Sequence, residues 1–87
     1  MSHKQRKVIQ NRLSRVEGHI RGIKKMVDAD RDCSEILLQL AAVKAALDKV
    51  RQIVLEDHLE SCLVDAIQSG NYEAQLRDLK HALAQIL

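Results

Sequence analysis

The sequence predicts an all-α fold, and three observations carry that reading. None of the 87 residues is proline and only three are glycine, so little interrupts a helix. The chain is rich in Ala, Leu, Lys, Arg, Glu and Gln, which lose little side-chain freedom in a helix. Its apolar residues recur at spacings of three and four rather than two, which excludes a sandwich or barrel. At this length residues 1–87 are expected to form a single domain that buries a modest fraction of its surface alone, so oligomerisation is expected too.

Helix 1 is predicted over about 4–27, because Ile9, Leu13, Val16, Ile20, Ile23 and Val27 fall on one helical stripe. Gly18 and Gly22 lie one turn apart inside it, each costing roughly 1 kcal/mol relative to Ala. Close approach by another backbone is a reason to keep them; chance occurrence is the alternative. The polar, aperiodic stretch Asp28-Ala29-Asp30-Arg31 ends the helix. Asp32-Cys33-Ser34-Glu35 then has the spacing of a capping box, with Asp32 as N-cap. Helix 2 follows over 34–69, with the stripe Ile36, Leu40, Val43, Leu47, Val50 and Val54 and many apolar residues beside it. Nothing breaks it before Ser69-Gly70, which gives a rod roughly 54 Å long. So wide an apolar surface needs more than one partner helix, and no protomer of this size can bury the rod. Asn71 can cap helix 3, predicted over 72–86 with the stripe Tyr72, Leu76, Leu79, Leu83 and Ile86. The expected architecture is a three-helix protomer that pairs into an antiparallel four-helix-bundle dimer.

Charge is distributed unevenly. Residues 1–27 hold Lys4, Arg6, Lys7, Arg12, Arg15, Arg21, Lys24 and Lys25 against Glu17, a net +7, while the remainder carries −5 and the whole chain +2. Such a block is either a solubilising face or a surface for a polyanion. With no Phe or Trp, stacking on single strands or RNA is disfavoured, and duplex DNA remains open as a partner. No apolar run approaches the roughly 18 residues of a membrane span, and the opening residues lack the apolar stretch of a signal peptide. A cytoplasmic location away from membranes is expected, with Cys33 and Cys62 as free thiols or metal ligands rather than a disulfide.

His58 and Cys62 are four residues apart, which puts them on one face of helix 2. As a bare pattern this pair is common, and a buried thiol beside a surface imidazole is its bland reading. Cys33, at the first turn of the same helix, gives the pair a third partner. It precedes His58 by 25 residues, about 38 Å along a helix, so the three cannot meet within one chain. Two copies of helix 2 packed antiparallel, crossing near Ala46 and Leu47, would bring Cys33 of one chain to His58 and Cys62 of the other. The small-residue stretch Ala41-Ala42-Val43-Lys44-Ala45-Ala46 suits such a crossing. One imidazole and two thiolates suit Cu(I), and the same donor types serve Ni(II), Co(II) or Zn(II) with a fourth ligand, for which His3 is the candidate. His19 and His81 have no partner at ligand spacing and are read as surface residues.

Three segments carry a resemblance: Arg15-Val16-Glu17-Gly18-His19-Ile20-Arg21-Gly22-Ile23, Asp30-Arg31-Asp32-Cys33 and Glu56-Asp57-His58-Leu59-Glu60-Ser61-Cys62. They resemble the copper-sensitive operon repressor (CsoR) family, whose relatives include nickel/cobalt, formaldehyde and persulfide sensors, over nearly the whole chain. The resemblance implies an all-helical repressor without a helix-turn-helix, assembled as a dimer of dimers and therefore a homotetramer, that releases operator DNA when Cu(I) binds across the dimer interface. It places Cys33, His58 and Cys62 at the family's ligand positions. It also places Arg12 and Lys49 where copper-sensing relatives carry Arg residues implicated in DNA binding. Asp32 and Asp78 stand where copper sensors typically have Tyr and Glu beside the ligands, transmitting metal binding. Persulfide sensors of the family generally lack the His between the two cysteines, so His58 favours a metal.

A repressor is the leading expectation, with a nickel/cobalt- or persulfide-responsive repressor as alternative within the family. A metal-storage or trafficking module that never binds DNA is the alternative from another class. An enzyme is not expected, because no third group is evident to orient a Cys-His pair and no Gly-rich loop is present.

Overall fold

The three apolar stripes become three helices in the computed structural model: α1 spans His3–Asp28, α2 Cys33–Ser69 and α3 Tyr72–Ala84. The structure describes residues 3–70 and 72–85, and the side chains of 5–70 and 73–85. The expectations for Asn71 as a cap and for Tyr72 and Ile86 in the third stripe fall outside those described residues. No helix among them is long and apolar enough to cross a membrane.

α1 closes with a Schellman motif. Asp30 takes the left-handed conformation at φ 55°, the Arg31 N–H donates to the Met26 carbonyl at 3.0 Å, and the Asp30 N–H to that of Val27 at 3.1 Å. An Asp tolerates this conformation better than most residues because its short polar side chain bonds locally. The reversal lays α2 antiparallel to α1. α2 has Asp32 at its N-cap position, as the sequence implies, and starts at Cys33, one residue before the expected 34, but the capping box does not form. Asp32 makes no side-chain cap bond; its carboxylate instead accepts from the Ser34 hydroxyl at 2.8 Å, and Glu35 is held by Arg31 at 3.0 Å. An ion pair four residues apart outcompetes the reach of Glu35 back to the cap. α2 ends where expected, at Gly70 with φ 70°, whose N–H caps the Ala66 carbonyl at 3.1 Å.

Val16 and Ile23 of α1 pack on Val43, with Ile36 and Ala46 beside them, and Ile9 and Val50 are the buried residues one heptad further along each helix. The α1 stripe therefore splits. Ile9, Val16 and Ile23, seven apart, face α2, while Leu13 and Ile20 stay more than 40% exposed because no third helix covers that edge. α3 folds back along the C-terminal half of α2, tied at its far end by the Arg51 guanidinium donating to the Gln85 carbonyl at 3.2 Å.

The molecule measures 58 × 26 × 13 Å. Its thinnest dimension is close to the roughly 10–12 Å diameter of one helix, so the three helices lie side by side in a single layer with both faces open. Leu37, Leu38, Leu63 and Ile67 are each at least 60% exposed on α2. Only six hydrophobic residues are buried among those described. One protomer thus leaves uncovered the faces for which the sequence demanded further partner helices.

Candidate metal centre and nucleic-acid face

One helical turn brings Cys62 and His58 together. The Cys62 sulfur lies 3.6 Å from His58 Nε2, and both side chains are half-buried along the seam between α2 and α3. His58 borders a groove with Val54, Leu55 and Ala82; Cys62 borders a second with Leu59, Gln75 and Leu79. The 3.6 Å separation fits a metal ion. A metal at about 2.3 Å from sulfur and about 2.0 Å from nitrogen, with a tetrahedral angle between them, spaces its donors about 3.5 Å apart. The apolar walls of the two grooves limit the water that would compete for such an ion.

Cys33 stands at the first residue of α2, exposed and free. The helix runs unbroken from there to His58, so the two stay about 38 Å apart. Among the described residues no three His, Cys, Asp or Glu side chains gather as a metal site. Cys33 and the His58–Cys62 pair thus stand at two distant points of α2. His3 and Lys4 side chains lie outside the described residues. Asp32 is exposed and engaged with Ser34, and Asp78 is exposed on α3, where the residues bordering Cys62 are Gln75, Leu76 and Leu79.

The basic residues sort by their partners. Arg21 pairs with Glu17 at 3.5 Å, so part of its charge is answered locally. Arg6, Lys7, Arg15 and Lys49 are exposed and Arg12 half-buried. Among the described residues Arg12 and Arg15 have no ion pair.

Two side chains differ from the sequence reading or escaped it. His19 is half-buried rather than a free surface residue, and its Nε2 meets Gln39 Oε1 at 2.6 Å, a direct tie between α1 and α2. No local spacing links residues twenty apart, so only the hairpin reveals the pair. Gln75 carries a buried amide oxygen with no hydrogen-bond partner among the described residues. His81 is exposed, as expected. A Cβ built on Gly22 meets nothing within 4 Å, and one on Gly18 only the end of Arg21 at 3.9 Å, so within one protomer no backbone approaches either glycine.

Comparison with known proteins gives a consistent family. Residues 5–85 match the family described as metal-sensitive transcriptional repressors. The copper-sensing transcriptional repressor CsoR of Bacillus subtilis is 47% identical over 78 residues, covering 90% of this chain and 77% of that protein. The solved structure of the nickel-responsive transcriptional regulator InrS superposes with a TM-score of 0.88 at 47% identity, covering 100% of this chain and 94% of that one. The copper-sensing repressor CsoR with Cu(I) from Geobacillus thermodenitrificans superposes with a TM-score of 0.87 at 38% identity, covering 99% and 90%. These are transcriptional repressors and regulators rather than enzymes, and their all-α, three-helix fold is the one described above. With its unbroken α2, its His58–Cys62 pair and its basic α1, the chain belongs to the CsoR family of metal-sensitive transcriptional repressors.

Proposed function

We propose that this repressor binds operator duplex DNA without metal, and releases it when Cu(I) joins Cys33 of one chain to His58 and Cys62 of an antiparallel partner. The observation that carries the reading is the 3.6 Å His58–Cys62 pair on a helix whose other thiol is out of reach. A half-site of two donors with apolar walls is completed by a second copy, and the open faces of the single-layer protomer favour that pairing. Two thiolates and one imidazole are a soft set that suits three-coordinate Cu(I). The copper-sensing relatives support the same choice.

The DNA-binding surface is the basic side of α1, with Arg12 and Arg15 foremost and Lys4, Arg6, Lys7, Arg21 and Lys49 of α2 contributing phosphate contacts. A ligand that bridges two α2 helices biases the quaternary arrangement, and only the arrangement without that bridge would fit the operator. A dimer of dimers would present two such basic surfaces to one duplex.

Nickel is the second reading, favoured by the likeness to the nickel-responsive InrS. Ni(II), like Co(II) or Zn(II), asks for a fourth donor, and His3 is the residue proposed for it. One anaerobic experiment separates these cases: release of a labelled operator duplex is followed while Cu(I), Ni(II) or a persulfide donor is added at defined stoichiometry. Release by one Cu(I) per protomer supports the copper reading, and release by Ni(II) alone transfers the function to nickel. Release by the persulfide donor alone makes the protein a sulfur sensor. Metal binding with no effect on DNA makes it a storage module.

A further inference from the structure

Where α1 passes α2, Arg12, Arg15 and His19 wall a notch of about 140 Å³ whose floor is Val16 and Ala46. Val16 is 6% exposed and Ala46 packs against the same core, so the floor is apolar and anchored in the α1–α2 core. Arg21 and Arg51 each pair with a carboxylate on their own helix and Arg31, in the turn before α2, pairs with Glu35, whereas Arg12 and Arg15 are unpaired among the described residues. Two uncommitted guanidinium groups therefore border one concave, partly desolvated space, where the forked donors of Arg match a tetrahedral oxyanion. The third wall is fixed from the opposite helix, since the 2.6 Å bond to Gln39 holds His19 in place.

We infer that this notch is a seat for a single phosphoryl oxyanion, gripped by Arg12 and Arg15, and that His19 is a positioning residue that sets its width through Gln39. The inference rests on the DNA-binding reading for its source, a backbone phosphate of duplex DNA; free phosphate is the other source of the same chemistry. Ala46 is part of the design, because any larger side chain at that point fills the seat without altering charge. Because the walls stand on α1 and part of the floor on α2, any shift of α1 against α2 changes the seat. Phosphate affinity is thereby tied to hairpin packing, which a general basic surface is not.

The test uses the full-length protein and two probes. Inorganic phosphate is titrated while the Arg side-chain and backbone resonances are followed by NMR, and duplex DNA is titrated in parallel. The expected result is a saturable shift confined to Arg12, Arg15, His19 and Ala46, abolished in Ala46→Leu and weakened in His19→Leu. Both variants should also bind duplex DNA about tenfold less tightly, the size of one lost charge-assisted contact. His19→Leu keeps the floor intact, so it serves if Ala46→Leu loses helicity or melts early. A shift that is unsaturable and spread equally over Arg6, Lys24 and Lys25 overturns the seat, as does unchanged DNA affinity in a folded His19→Leu protein. If the unmutated protein binds no duplex but saturates with phosphate, the seat stands for a free anion and the DNA reading falls.

Discussion

Cys62 and His58 touch at 3.6 Å, while Cys33, on the same unbroken helix, can never join them. Length alone imposes this, because a helix of 37 residues is about 55 Å long and cannot fold on itself. The reading of the protein as a sensor depends on a second chain supplying the missing thiol, and that dependence has a direct consequence in mixed assemblies.

Cys33→Ala and Cys62→Ala proteins each lack a complete site, yet mixing them should restore one. In a heterodimer, Cys33 of the Cys62→Ala chain meets His58 and Cys62 of the Cys33→Ala chain, and the opposite site loses both thiols. About half of the sites in heterodimers should bind Cu(I) with unmutated affinity, as read by competition with a chromophoric chelator. Subunit exchange without recovery of any tight site would show that the antiparallel arrangement is wrong.

Replacing His58 should separate binding from response. In His58→Ala two thiolates still hold Cu(I), more weakly, since sulfur dominates affinity for this ion. Binding of operator DNA without metal should be unchanged, while release by Cu(I) should be largely lost, because the imidazole links the ion to the α2–α3 seam. Fluorescence anisotropy of a labelled duplex reads both quantities. Full release by a persulfide donor in His58→Ala, with no metal response in the unmutated protein, would assign the chemistry to the two thiols instead.

The contrast between paired and unpaired arginines should show in the salt dependence of DNA binding. Arg12→Ala and Arg15→Ala should each weaken binding and reduce the slope of log K against log salt by about one, the yield of one phosphate contact. Arg21→Ala should reduce it less, because Glu17 already answers part of that charge at 3.5 Å. Cu(I) affinity should be nearly the same in all three. A slope near zero in the unmutated protein would support the storage function.

Two glycines should respond to Ala in opposite directions. Gly70 sits at φ 70°, so Gly70→Ala should destabilise the protein by about 1 kcal/mol in urea melts. Gly22 is inside α1 with open space around its Cα, so Gly22→Ala should stabilise by up to about 1 kcal/mol through helix propensity. If Gly22→Ala instead weakens the assembly, measured by sedimentation, a neighbouring copy packs its backbone against that face.

Much of this protein is legible in its sequence because helices are local objects. The spacing of Ile9, Leu13, Val16, Ile20, Ile23 and Val27 specifies the stripe of α1, the run from Ser34 to Ser69 holds no breaker, and Gly70 ends it; each feature acts within a few residues of itself. The pairing of His58 with Cys62 is equally local, since one helical turn guarantees it, and so is the impossibility of Cys33 reaching them. Tertiary structure decided what depends on which helix lies opposite. It separated Val16, buried at 6%, from Leu13, exposed at 42%, although both belong to one stripe. It joined His19 to Gln39 across the hairpin and gathered Arg12 and Arg15 over Ala46. The physical reason is range: periodicity reports which residues share a face, but the partner of that face comes from chain segments twenty or more residues away, whose alignment is set by packing rather than by any local pattern.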